Sequence, residues 1–162
     1  MGASLYGDWA KVRGKLEKNP GARLRAAIRT ATIRNATLLV REIKKGIRDQ
    51  APGGQAFPPL AEVTIKRKGS SKALIDTGFL LAKITERILG DGSAFVGLLR
   101  GTTNKAGGDL VNIGAVMEYG ATIEQANGVV IVIPPRPFLH PTMERYRGKV
   151  IENYRVAIAS VL

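Results

Sequence analysis

Residues 22–49 read "ARLRAAIRTATIRNATLLVREIKKGIRD", a stretch with no proline and one interior glycine. The spacing predicts a single long helix, a rod of roughly 40 Å at ~1.5 Å per residue. Placed every 100°, Leu24, Ala27, Ile28, Ala31, Leu38 and Leu39 share one arc. Arg23, Arg34, Arg41, Lys45 and Arg48 fall together on the other side. Such a stripe of cations is either the solvated face of the helix or a docking face for an acidic partner or for DNA. Few acidic residues stand at i±4 to neutralise it.

Upstream, "KNPG" at 18–21 breaks the chain after a short amphipathic stretch around Leu5, Trp9, Val12 and Leu16. Downstream, "QAPGGQAFPPL" (50–60) ends the helix with Pro and Gly, and "KRKGSSK" (66–72) extends an irregular, basic region. In residues 82–89, Ala82, Ile84 and Ile88 alternate with Lys83, Thr85 and Arg87, with Glu86 the polar break on the apolar side. That pattern predicts a strand with one wet face. "GDGS" (90–93) is a turn and "AFVGLL" (94–99) the returning strand of a hairpin. "RGTTNKAGGDL" (100–110) is Gly-rich and polar. "NIGAVMEYGA" (112–121) predicts one or two helical turns stopped by Gly120.

"GVVIVIP" (128–134) is the strongest strand signal, β-branched throughout and expected to be buried on both faces. After the proline-rich "PPRPFLHP" (134–141), Met143, Tyr146, Val150, Tyr154, Ala157 and Val161 form one stripe of a terminal helix. The fold class expected is α+β: a long N-terminal helix, a small mostly antiparallel sheet with a β-hairpin, and a C-terminal helix. One domain spans residues 1–162, with loops 50–73 and 100–110 expected to be flexible in the free chain.

A chain of 162 residues hides roughly 68–70% of its unfolded surface and holds a core without staples. With 44% hydrophobic residues and no apolar run near the ~18 residues of a membrane span, a soluble protein is expected. The opening residues lack an apolar signal core, so secretion by a signal peptide is not expected, and Tyr6 stands where myristoylation needs Ser or Thr. The absence of cysteine excludes disulfides, zinc thiolates and thiol catalysis and suits a reducing cytoplasm. The net charge of +12 is uneven: residues 1–50 hold 12 basic and 4 acidic side chains, whereas 101–162 hold 6 and 5. A field of this kind attracts polyanions, whether nucleic acid or an acidic protein surface.

Asp76-Thr77-Gly78 is the tripeptide that carries the catalytic aspartate of aspartic proteases. Those enzymes need two facing aspartates on tight loops in a mostly β chain, with a small residue after the Gly. Here Phe79 follows, and helix-like and loop sequence precedes. The better reading is structural: Asp76 or Thr77 caps the next turn, and Gly78 supplies a backbone angle other residues resist. His140, the sole histidine, has no triad partners. No phosphate-binding loop and no metal-ligand cluster is legible. The four phenylalanines are not interleaved with Arg or Lys as stacking platforms. No enzymatic activity, cofactor or metal is expected.

Three strings occur in order: "AFPPLAEVTIKRKG" leading to "LIDTGFLLAKIT" (56–85), "VNIGAVMEYGATIE" (111–124) and "VIPPRPFLHPTMERY" (132–146). Together they resemble the phage virion-morphogenesis family, which includes the tail-completion proteins of long-tailed phages. The matching positions are Pro59, Leu60, Thr64 and Lys68, then Leu74, Thr77, Gly78 and Leu80 beside Asp76. Next come Glu118, Tyr119 and Gly120, and finally Pro134, Arg136, Pro137, Phe138 and Leu139. Gly114-Ala115-Val116 stand where the family commonly has a His. The likeness covers about residues 20–160.

The resemblance implies a non-enzymatic virion component, one subunit of a homo-oligomeric ring at the head-tail neck, assembled in the host bacterial cytoplasm. Its neighbours would be portal, adaptor, tail-terminator or tail-tube proteins, close to packaged DNA and with no membrane. It also makes Asp76-Thr77-Gly78 the turn that launches the hairpin. A tail terminator and a nonspecific DNA-binding protein are the alternatives. In the Pro134–Leu139 segment the prolines fix an extended backbone, Arg136 offers a planar fork to a carboxylate, and Phe138 and Leu139 are anchors for an apolar pocket. That segment suits an intersubunit contact or a rigid corner within the subunit.

Overall fold

Helix α1 (Pro20–Arg48) runs through the stretch the spacing predicts. It begins inside the expected 18–21 break, because a proline's fixed φ suits the first turn of a helix. The computed structural model describes residues 14, 20–104 and 106–161. The amphipathic stretch expected around residues 5–16 lies outside the described residues.

The expected arc of α1 is buried or half-buried, but a second stripe, Ala36, Val40, Ile43 and Ile47, is buried too. One-stripe reasoning missed it because α1 is covered from two sides. On one side lies α5 (His140–Ala159), the C-terminal helix; on the other lies the β1–β2 hairpin. The helices run antiparallel along a polar seam. Thr32 Oγ1 and Tyr154 Oη are 2.9 Å apart, and the Asn35 Nδ2 amide donates to the Val150 carbonyl at 3.2 Å. Asn153 Nδ2 donates to Asn35 Oδ1 at 2.6 Å, and the Tyr146 hydroxyl donates to Glu42 Oε2 at 2.6 Å. Within the predicted α5 stripe, Tyr146, Val150, Tyr154, Ala157 and Val161 are half-buried, whereas Met143 is exposed. Thr142 takes the buried place near the helix start, its hydroxyl donating to the Phe138 carbonyl at 3.0 Å.

Segment 50–73 holds more structure than its sequence suggested. A 3-10 turn at Pro52–Gly54 is followed by helix α2 (Glu62–Lys68), which includes the first three residues of the "KRKGSSK" string. Gln50 closes the segment: its side chain accepts from the Ala73 amide and donates to the Ala73 carbonyl at 3.1 Å. A buried Ala73 is thereby paired on both backbone groups, which substitutes for a strand partner.

Gly78 has φ of +75°, the left-handed angle expected of it, and Thr77 Oγ1 accepts from the Phe79 amide at 3.4 Å. The turn launches not the strand but a short helix, α3 (Phe79–Lys83), so the first strand is shorter than predicted. β1 (Thr85–Ile88) pairs antiparallel with β2 (Ala94–Gly97), Glu86 opposite Val96. Glu86 accepts from Thr37 of α1 at 3.2 Å, so the polar break on the apolar side has a partner.

Loop 100–110 folds back on itself. The Leu110 amide donates to the Thr102 carbonyl at 2.9 Å, and Asn104 Oδ1 accepts from the amides of Ala106 and Gly108. Asp109 caps α4 (Leu110–Tyr119), its Oδ1 accepting from Val111 N at 2.7 Å and its Oδ2 from Gly101 N at 3.3 Å. Those amide bonds hold the Asp109 carboxyl below its ordinary value.

β3 (Ala121–Glu124) and β4 (Val130–Ile133) form a second antiparallel hairpin, not an extension of the first. The sheet is therefore two separate ribbons. The expectation that 128–134 is buried on both faces fails: Val132 is 67% exposed and Ile131 40%. β-branching reports a preference for pleated backbone and not, by itself, a cover.

The core cluster joins Val40, Ile43 and Ile47 of α1 to Ile84, Leu98 and Phe138, each flanking a strand or α5. No residue of β3 or β4 enters it.

Candidate functional site

Two places bring sequence-selected residues together: a buried joint around Glu118 and Arg136, and the basic face of α1.

Glu118 lies in the last turn of α4, and its carboxylate is buried. Oε2 accepts from the backbone amides of Phe138 at 2.8 Å and Leu139 at 3.0 Å, and Oε1 from His140 N at 2.8 Å. These amides open α5, whose N-cap Leu139 offers no side-chain acceptor and whose first turn has no acid. Glu118 is thus a cap supplied from another helix, satisfying orphan amides and meeting the positive end of the α5 dipole. Its neighbour Tyr119 points the other way and is 80% exposed.

Helix α4 reaches this position because Gly114 lets it approach β2's exit. A Cβ there would stand 2.6 Å from Leu98 Cδ1. At the helix end, Gly120 turns the chain at φ of +78°.

Arg136 is buried, and its guanidinium meets carbonyls, not the carboxylate its fork suggested. Nε donates to Pro58 O at 3.2 Å, Nη2 to Pro59 O at 3.0 Å and Nη1 to Pro134 O at 3.4 Å. Proline-rich segments cannot form a ladder, so their carbonyls need donors from elsewhere. The Arg136 amide donates to Met117 O at 2.6 Å, tying the same segment to α4. Burial pushes the guanidinium below its ordinary value. Nearby Lys68 is also lowered, by burial first, with Arg136 adding to the effect and Asp76 opposing it.

Phe138 is fully buried at the centre of the core. Within this chain, Pro134–Phe138 forms a corner fastened by Glu118 and Arg136, while Pro134 itself stays exposed and Pro137 half-buried. Asp76 and Thr77 are exposed on a turn that shares none of these bonds. His140 contributes its backbone amide to Glu118.

On α1 the five cations Arg23, Arg34, Arg41, Lys45 and Arg48 are all exposed. Arg41 pairs with Glu42 at 2.7 Å and Lys45 pairs with Asp49. Among the described residues, Arg23, Arg34 and Arg48 have no carboxylate within 4.0 Å. Beside Arg34 a groove of about 490 Å³ opens between α1 and α5, floored by Ala27, Ala31 and Ala157 and edged by Val156, Arg34 and Lys149.

Sequence reasoning named Glu118 and Arg136 only through the resemblance, and it missed Gln50, Asp109 and Thr142. Asp109 was recoverable, since an Asp directly before an apolar helical run is an N-cap signal. Nothing in the local sequence pairs Gln50 with Ala73. Among the described residues no group of three His, Asp or Glu could hold a metal ion, and no helix is long and apolar enough to cross a membrane. No protein-family model, curated protein or solved structure matches the chain.

Proposed function

We propose that this chain is a structural subunit of the ring at the neck between head and tail of a tailed phage, completing the tail or joining it to the head. One observation carries the reading: the three strings behind the resemblance meet in space. Glu118 of the second string holds the amides of Phe138, Leu139 and His140 of the third. Arg136 of the third holds the carbonyls of Pro58 and Pro59 of the first. Residues from separate strings thus build one hydrogen-bonded corner, which suits a structural role.

The basic stripe supports the same reading. Arg23, Arg34 and Arg48, with no ion pair among the described residues, present charge along one face of α1 suited to an acidic portal, adaptor or tube protein or to the packaged DNA beside it.

Electron microscopy of a lysate in which this gene carries a nonsense codon tests the proposal. Filled heads beside unattached tails of normal length are expected. Tails of irregular length would make the protein a tail terminator, and normal infectious particles would overturn the neck assignment. DNA affinity that is strong at physiological salt and falls steeply as salt rises would favour a DNA-binding protein instead.

A further inference from the structure

The β3–β4 hairpin has the composition of a core element and the setting of a surface one. Ala121, Ile123, Ile131 and Ile133 share one face through the pairs Ala121–Ile133 and Ile123–Ile131, a wholly aliphatic surface. Val130 and Val132 line the other face with Thr122 and Glu124. A two-stranded ribbon is marginal in water by itself, and apolar surface left open on both sides calls for a cover. Tyr119, at the root of the hairpin, extends the exposed surface.

Charge narrows what the cover is. Glu124 is the one charged residue in 121–133, within a chain of net charge +12. The α1–α5 groove offers the complement: a floor of small aliphatic residues and a rim where Arg34 and Lys149 carry no ion pair among the described residues. Glu152, also on that rim, is 3.8 Å from Arg155. The volume, about 490 Å³, is within the range that accepts several apolar side chains. Placement matters as much. β4 leads through residues 134–139 into the start of α5. The groove's α5 residues, Lys149 to Ser160, lie roughly 13–30 Å further along that helix at 1.5 Å per residue.

We infer that the β3–β4 hairpin of one copy seats in the α1–α5 groove of the next by the face that carries Glu124, with Val130 and Val132 on the alanine floor and Glu124 toward Arg34 and Lys149. The two surfaces are unlike, so the contact is head to tail and repeats into a ring when the rotation closes. The inference deepens the neck reading and rests on it for its biological setting.

The absence of native cysteine makes a direct test possible. Val132→Cys protein mixed with Val156→Cys protein should give disulfide-linked dimers under mild oxidation, and neither variant alone should. The double variant should give a ladder of reducible oligomers. Glu124→Lys should lower the yield several-fold, and Arg34→Glu in the partner should restore it. Dimers from Val132→Cys alone would mean hairpin meets hairpin and would overturn the inference. So would a mixture that stays monomeric, or a yield indifferent to Glu124→Lys. Both cysteine sites are exposed, so loss of the fold is not the expected cause of a negative result, and an unchanged circular dichroism spectrum checks this. Ladder formation with normal particles from the nonsense mutant would sink the neck reading alone. Unattached tails without cross-links would sink this contact alone.

Discussion

The two hairpins are built alike and used differently. In the first, Leu89 N donates to Ser93 O at 2.8 Å and Gly92 N to Leu89 O at 3.1 Å. In the second, Gln125 N donates to Val129 O at 2.9 Å and Gly128 N to Gln125 O at 2.9 Å. Gly92 and Gly128 take the left-handed position at φ of +85° and +79°, giving both the same bulged turn. Each loop has its own side-chain acceptor: Asp91 Oδ1 takes Ser93 N, and Asn127 Oδ1 takes Val129 N. The difference begins outside the strands. Ile84 and Leu98, which flank β1–β2, are buried in the core, whereas β3–β4 is flanked by Gly120 and Pro134 and contributes nothing to it. Local turn chemistry therefore makes a hairpin, and packing at the residues flanking its ends and at Val96 within β2 decides whether it is core or arm.

The sharpest way to break the comparison is at those ends. Ile84→Ala, at a residue 1% exposed, should cost about 2–5 kcal/mol in denaturant melts. If it costs no more than a surface change, the first hairpin is not held by the core. Glu118→Ala should cost about 3–5 kcal/mol by leaving the amides of the α5 start unpaired beneath the root of the second hairpin. Glu118→Gln keeps one acceptor and should cost about 1–3 kcal/mol. Equal losses for the two variants would refute the capping role.

A smaller effect is expected at the seam that holds α5 against α1, on which the first hairpin packs. Tyr146→Phe removes a hydrogen bond to a carboxylate, about 1.5–3 kcal/mol. That hydroxyl is the main reason the Glu42 carboxyl sits below its usual 4.5, with burial opposing and Arg41 assisting. A lowered folded value stabilises the fold above pH 4.5, and the contribution is lost as pH falls through that lowered value. Tyr146→Phe should therefore flatten the acid limb of the stability curve. Amide exchange should quicken in β1–β2 and stay unchanged in β3–β4; the reverse would invert the comparison. Smallest of all, Val132→Ala should alter the stability of the isolated subunit by only about 0.5 kcal/mol, whereas its effect on association through the groove should be large. A melt shifted as far as that of Ile84→Ala would mean the second hairpin is covered within its own chain.

Much of this was legible before folding. The α1 spacing, the Gly78 angle, the first hairpin's turn and the Gly120 stop all follow from residues within a few positions of one another. The reason is that helix periodicity and backbone angles are set locally, by sterics and near-neighbour hydrogen bonds. The sequence by itself determined the α+β class, the basic stripe and the position of the turns. Tertiary structure decided the rest: that α1 needs a second apolar face, that Arg136 meets proline carbonyls, that Glu118 caps a helix it does not belong to, and that the most β-branched strand stands outside the core. Each of these depends on what a side chain meets across 20 or more residues of chain. Burial and partner choice are properties of packed neighbours, and no local pattern specifies them.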